Sequence, residues 1–273
     1  MNPFIKVFGF RLGTYGVMML SGFIVAFLVV VLLAKHKGKA NYSDCTYVFL
    51  YSVAFAIAGT VLFRTLTKLP FVFLNIEFWK KETVEQFFTY LFGEYVFYGG
   101  LLGGLLGIYI FTRKYKLSTM QYLDLFAAPV AFAHALGRIG CYFGGCCYGT
   151  EVTANNPLAI IYPDYSLVAP PGIPLLNIPI IESAFLFLLG GVLTVLFIRS
   201  KQTGLCVATY LLAYSVWRFI IEFFRGDFVR GKFGIFSTSQ YVSLAIFIVV
   251  VLFITIKFYH NKKNPTTKGE AVL

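Results

Sequence analysis

Charge is what this chain has least of. Only 13% of its 273 residues are Asp, Glu, Lys or Arg and 58% are hydrophobic, against roughly 25% and 45–50% in soluble domains. With a mean hydropathy of +0.77, this excludes a soluble enzyme, and no polar stretch is long enough for a separate soluble catalytic domain. A net charge of +11 has no basic soluble face on which to sit, so nucleic acid is not an expected partner. The first apolar run is too long for a signal-peptide core and lacks a convincing small-residue cleavage site, which makes it an uncleaved helix. No internal repeat is visible. The cysteines lack a familiar metal pattern: Cys141, Cys146 and Cys147 are spaced C-x4-C-C with no histidine close by in sequence, and Cys45 and Cys206 stand alone. That spacing matches none of the usual zinc arrangements. No metal and no organic cofactor is therefore expected, and close packing beside glycines is preferred over a metal or a thiolate relay.

What is abundant is hydrophobic length. Apolar runs of about 20 residues, enough to cross the hydrocarbon core, fall near 14–34, 45–63, 95–112, 121–140, 180–198, 204–223 and 236–257. The expected fold is an all-α integral membrane protein with about seven transmembrane helices. Basic clusters at 35–39, 113–116, 199–201 and 257–263 occupy alternate loops, whereas 141–179 has no Lys or Arg. Because basic loops are retained in the cytoplasm, the N-terminus is expected outside and the C-terminus inside. The positive charge then serves topology and contact with anionic membrane lipids. Residues 69–92 mix aromatics with Lys80, Lys81, Glu82 and Glu85, as in an interfacial arm. Prolines at 157, 163, 170, 171, 174 and 179 make 151–179 an ordered outer loop rather than a helix. Residues 1–263 are taken as a single transmembrane domain and 264–273 as a polar cytoplasmic tail.

Against this background two arginines stand out: Arg138 within HALGRIGCYFGGCCYG (134–149) and Arg218 within YSVWRFIIEFFRGD (214–227). Charge at membrane depth costs several kcal/mol, so a chain that keeps it there usually uses it. Guanidinium is planar, multidentate and always charged, which suits a phosphate whose negative charge grows as it leaves. Glu222 lies one helical turn beyond Arg218 and can orient it, and His134 lies one turn before Arg138. An imidazole there is either a base for a thiol or hydroxyl proton or a donor to a neighbouring helix. The glycines at 99–107 and 137–149 permit close helix packing; where GRIG breaks into the loop, unpaired amides are also able to cradle an anion. Arg225, Asp227 and Arg230, after the sixth run, either hold a head group or substrate peptide or form a solvated rim.

The order of motifs resembles the prolipoprotein diacylglyceryl transferase family. The matching pieces are TYGVM (14–18), YGGLLGG (98–104), Asp124 and Pro129 leading to GRIG (137–140), Glu182, Y-x3-RF-x2-EFFR-x-D (214–227) and STSQ (237–240). They span nearly the whole chain. The resemblance implies seven helices with the N-terminus outside, in agreement with the loop charges. It implies transfer of a diacylglyceryl group from phosphatidylglycerol to the lipobox cysteine of a secreted prolipoprotein precursor, releasing glycerol phosphate, in a bacterial cytoplasmic membrane. Arg138 and Arg218 match the family's two essential arginines, and Tyr15, Gly149 and Glu222 match other functional positions. The remaining substrate-binding candidates are Gly99, Gly100, Gly137, Gly140 and Arg225.

The sequence also departs from the family pattern. Where the family carries asparagines and a glutamate after its signature arginine, this chain reads GCYFGGCCYG, and Tyr98 replaces the histidine ahead of the paired glycines. Tyr98 and His134 are thus both candidates for the group next to the attacking nucleophile. Two other readings stay open: a phosphatidylglycerol-dependent transferase with a different acceptor, and a lipid or solute transporter, because buried charges also mark translocation paths.

Overall fold

The computed structural model describes residues 4–7, 10–37, 41–74, 97–166, 168–227 and 232–263. With no water in the hydrocarbon core, every backbone N–H and C=O must be satisfied within the chain, and the apolar runs accordingly form helices: α1 (Thr14–Lys37), α2 (Tyr42–Leu74), α3 (Phe97–Lys114), α4 (Thr119–Gly144), α5 (Ile178–Arg199), α6 (Leu205–Ile221) and α7 (Thr238–Lys263). All but α3 are long and apolar enough to cross a membrane. The exception has 18 residues, is rich in glycine and ends on Arg113 and Lys114. The helices coincide with the seven runs read from the sequence. Boundaries differ where loop was expected: α2 continues to Leu74, so residues 69–74 are helical rather than part of an arm; α4 runs on to Gly144, so residues 141–144 are not outer loop; and α5 starts at Ile178, with Pro179 in its first turn, where proline costs no intrahelical hydrogen bond. The rest of the expected arm, Arg230 and the 264–273 tail lie outside the described residues.

Two compact units divide the chain, one of residues 30–125 and one of residues 1–29 with 126–273. In the first, α2 packs on α3 through glycine. A Cβ on Gly99 would stand 2.5 Å from the Gly59 carbonyl oxygen and 2.8 Å from Phe63 Cβ, and one on Gly107 would stand 2.7 Å from the Tyr51 carbonyl oxygen. Ser52 Oγ adds a hydrogen bond to the Gly104 carbonyl at 3.3 Å. Small residues let helix backbones approach in lipid, where apolar burial alone gives helices no reason to associate.

The second unit begins with a hairpin that the sequence reading did not anticipate, β1 (Phe4–Val7) paired antiparallel with β2 (Phe10–Gly13). Helix α1 meets α4 at Gly22, where a Cβ would lie 3.1 Å from the Ala133 carbonyl oxygen. Helix α5 meets α4 where the Phe132 ring covers Gly190, 2.8 Å from its would-be Cβ, and where Ser183 Oγ donates to the Ala135 carbonyl at 3.0 Å. Asn177 caps α5 by accepting from the Ile180 amide at 3.4 Å, with proline inside the first turn, as suits a helix start. A second hairpin, β5 (Lys232–Phe233) with β6 (Phe236–Ser237), leads into α7. There STSQ forms a reciprocal cap: the Gln240 amide donates to Ser237 Oγ at 3.3 Å and the Ser237 amide to Gln240 Oε1 at 2.9 Å. This is a capping box, which satisfies two orphan donors at once.

The proline-rich loop is ordered. Strands β3 (Ala159–Ile161) and β4 (Pro174–Leu176) pair antiparallel, and Tyr162, Ala169 and Leu175 form a small buried cluster beneath Tyr148, Ile160 and Ile173. Backbone hydrogen bonds tie this loop to its surroundings: Gly149 N to Leu176 O at 2.9 Å, Thr150 N to Phe224 O at 2.9 Å and Gly226 N to Tyr148 O at 3.1 Å. The end of α4, the start of α5 and the end of α6 are thereby stitched together. Gly149 is needed at this seam, since a Cβ would come within 2.7 Å of Leu176 Cβ and of its carbonyl oxygen.

Candidate active site

Arg138 projects from α4 into a polar cluster shared with α5 and α6. Its Nη2 lies 3.0 Å from Glu182 Oε1, and the Glu182 side chain is fully buried in the first turns of α5. Tyr214 on α6 completes the triangle. Its hydroxyl donates to Glu182 Oε1 at 2.9 Å and accepts from Arg138 Nη2 at 3.5 Å. A buried arginine without its carboxylate would leave an uncompensated charge worth about 3–5 kcal/mol. Glu182 entered the sequence reading only as one piece of the motif order, and its partnership with Arg138 was missed because the two lie on different helices.

His134 belongs to the same cluster. Its Nε2 lies 3.5 Å from the Tyr214 hydroxyl and its Nδ1 3.3 Å from the Tyr210 hydroxyl, and its ring sits edge-on to Tyr214 with centroids 4.9 Å apart. Both ring nitrogens thus face tyrosine hydroxyls. The imidazole thereby links Tyr210 to Tyr214, which in turn contacts the Arg138–Glu182 pair.

Arg218 is built differently. Its Nη2 lies 2.6 Å from Glu222 Oε2 one helical turn later, as the i,i+4 spacing predicts, and also donates to Ser239 Oγ at 3.2 Å. The capping box therefore places Ser239 on the first turn of α7, and Gln240 Nε2 reaches back to the Phe219 carbonyl at 3.4 Å. Helix α6 tightens into a 3₁₀ turn at Glu222–Phe224 and ends at Arg225. Arg138, Arg218 and Glu182 lie within electrostatic reach of one another.

The donors left over are the chemically telling feature. Arg138 Nε, Arg218 Nη1 and Arg225 Nη1 are buried and have no hydrogen-bond partner among the described residues. Buried polar groups are normally satisfied, so each arginine keeps at least one N–H for an anion that its carboxylate does not occupy. Arg225 uses Nε and Nη2 in a fork on Asp227, at 2.8 and 2.6 Å. Burial works against its charge, but the Asp227 hydrogen bonds outweigh burial and hold its pKa above the usual arginine value.

The other sequence candidates divide between the two units. Tyr15 packs on Gly140, whose Cβ would stand 3.1 Å from the tyrosine Cδ2. Nothing among the described residues lies within 4 Å of a would-be Cβ on Gly137, the neighbour of Arg138. Gly149 serves the loop seam. Tyr98, Gly99 and Gly100 start α3 in the other unit, where Gly99 packs on Gly59 and Gly100 on Thr60 Oγ1, 3.0 Å from its would-be Cβ.

Paired guanidinium and carboxylate groups inside long apolar helices, with N–H donors to spare among the described residues, define a multi-pass membrane protein. The chain belongs to the prolipoprotein diacylglyceryl transferase family, whose sequence model matches residues 3–256. It is 33% identical over 96% of its length to phosphatidylglycerol–prolipoprotein diacylglyceryl transferase 2 of Clostridium perfringens, covering 98% of that relative. It is 31% identical to the corresponding transferase of Clostridium tetani (94% of this chain, 98% of the relative) and 30% identical to that of Proteus mirabilis (93% and 90%).

Proposed function

We propose that this chain transfers the diacylglyceryl group of phosphatidylglycerol to the cysteine thiol of a prolipoprotein in the bacterial cytoplasmic membrane. The observation that carries the reading is the set of unpartnered N–H donors on Arg138 and Arg218 within a family whose named relatives act on these two substrates. In the reaction the thiol sulfur bonds to the terminal glyceryl carbon of the lipid, the bond from that carbon to the phosphate oxygen breaks, and glycerol phosphate leaves with the electron pair. Charge grows on the departing phosphate. Arg138 and Arg218 meet it with donors fixed in advance by Glu182, Tyr214, Glu222 and Ser239, which is the most effective form of electrostatic stabilisation in a site that excludes water.

The thiol proton must go to a base. Tyr98, which takes the place of the family's histidine through the resemblance, accepts it only as the phenolate, and His134 is assigned a positioning role because both its nitrogens face tyrosines. Gly137 adjoins Arg138 in sequence and leaves room for a substrate, Tyr15 packs on Gly140, and Arg225 offers a further donor to the head group.

The test is incubation of purified protein with phosphatidylglycerol labelled in its head group and a peptide carrying a lipobox cysteine. The expected result is a peptide heavier by one diacylglyceryl group together with labelled glycerol phosphate. Glycerol phosphate released without peptide modification would point to another acceptor. Intact lipid after prolonged incubation would sink the transferase reading in favour of transport.

A further inference from the structure

The three cysteines after Arg138 are far closer in space than their spacing suggests. Helix α4 ends at Gly144, and the backbone passes through the left-handed region at Gly145 (φ 64°) and again at Cys147 (φ 62°). Positive φ is unusual for a residue with a side chain. Between these two positions the Cys146 amide closes on the Cys141 carbonyl at 3.1 Å. The reversal gathers the Sγ atoms of Cys141, Cys146 and Cys147 within 4.8 Å of one another, and none is in a disulfide.

That arrangement is close to coordination geometry. Thiolates bound to one cation at about 2.3 Å lie about 3.8 Å from each other, so the trio needs to contract by about an ångström at most. Among the described residues the cluster offers sulfur, with neither imidazole nor carboxylate, which selects against hard cations such as Mg²⁺ and Ca²⁺. Cys147 lies within electrostatic reach of Arg225 and Arg138, which places cationic side chains beside the trio. A separate observation points the same way. Tyr162 is 1% exposed, its buried hydroxyl has no hydrogen-bond partner among the described residues, and it lies within electrostatic reach of all three cysteines. Its ring rests on Gly145, 3.4 Å from the would-be Cβ, so an unpartnered buried hydroxyl belongs to the side chain packed on the turn that gathers the thiols.

We propose that Cys141, Cys146 and Cys147 form a binding site for a thiophilic d¹⁰ cation, Zn²⁺ or Cu⁺, where α4 turns into the proline-rich loop. The site stands on the thiol geometry and is independent of the transfer reaction. The linear pattern conceals it because C-x4-C-C closes only through the two left-handed residues, a backbone feature that spacing does not encode.

Full-length protein, purified in detergent, reduced and stripped with a chelator, is titrated separately with Zn²⁺ and with Cu⁺, each against a competing chromophoric chelator. Cd²⁺ serves as a spectroscopic probe through its thiolate charge-transfer absorption. The expected result is one equivalent bound in at least one arm, the tighter arm naming the cation, with a thiolate band on adding Cd²⁺. Cys146→Ser and Cys147→Ser should each weaken binding by about 100-fold or more, beyond the loss usual for outer-shell partners, while Cys45→Ser leaves it unchanged. Failure of the wild-type protein to bind in both arms overturns the proposal, as does a Cd²⁺ band that survives in the Cys146→Ser/Cys147→Ser double variant.

Discussion

Arg138 and Arg218 have the same chemistry but obtain their carboxylates differently, and this decides what could be read in advance. Glu222 stands four residues beyond Arg218, and the 2.6 Å pair is what helical periodicity predicts. Glu182 reaches Arg138 from another helix, and no local rule links them. The spacing of His134 and Arg138 was legible as well, but not the tyrosines that occupy both imidazole nitrogens. Lysine at position 138 or 218 keeps the charge and loses the fork. Arg138→Lys and Arg218→Lys should each insert normally and lower turnover by about 100- to 1,000-fold, the scale for losing one preorganised donor; wild-type rates in both would remove the phosphate role. His134→Ala should reduce turnover by about tenfold with a lower melting temperature, short of the roughly 100-fold or greater effect of losing a general base. A large loss of rate at unchanged melting temperature would instead make His134 the base.

Among the elements, helices were legible and strands were not. Long apolar runs leave the backbone in lipid few alternatives to a helix, whereas the β1–β2 and β3–β4 pairs are three or four residues long and are set by contacts within loops. STSQ was recognisable as a motif, yet its use emerges only from the bonds it makes. Ser237 and Gln240 cap α7, and Ser239, held on that first turn, meets Arg218. Ser237→Ala should destabilise the protein by about 1 kcal/mol and also reduce activity through Arg218. Thermal unfolding and turnover measured on the same preparation check this, and an activity loss without destabilisation would contradict it. In the α2–α3 pair, a side chain at Gly103 would run into the Phe55 carbonyl oxygen. Gly103→Val should therefore lower the yield of folded protein, while Gly137→Ala, placed beside open space, should not.

At the scale of the whole molecule, the alternation of basic loops predicts an orientation. Single cysteines introduced near Lys37, Lys114 and Lys201 should be shielded from a membrane-impermeant reagent added outside, and one near Asp164 should react; outside labelling near Lys114 would overturn the assignment. The two ion pairs also set different conditions for biogenesis. Arg218 and Glu222 share one short stretch of chain, so the segment that carries the charge also brings its compensation. Helix α4 has the lowest hydropathy of the six candidate spans, 1.2, and the carboxylate for its arginine is synthesised only after the whole proline-rich loop has emerged. A nascent chain stopped at that loop therefore holds an unmatched cation in its newest helix, and α4 and α5 should leave the translocon for lipid as a pair rather than one after the other.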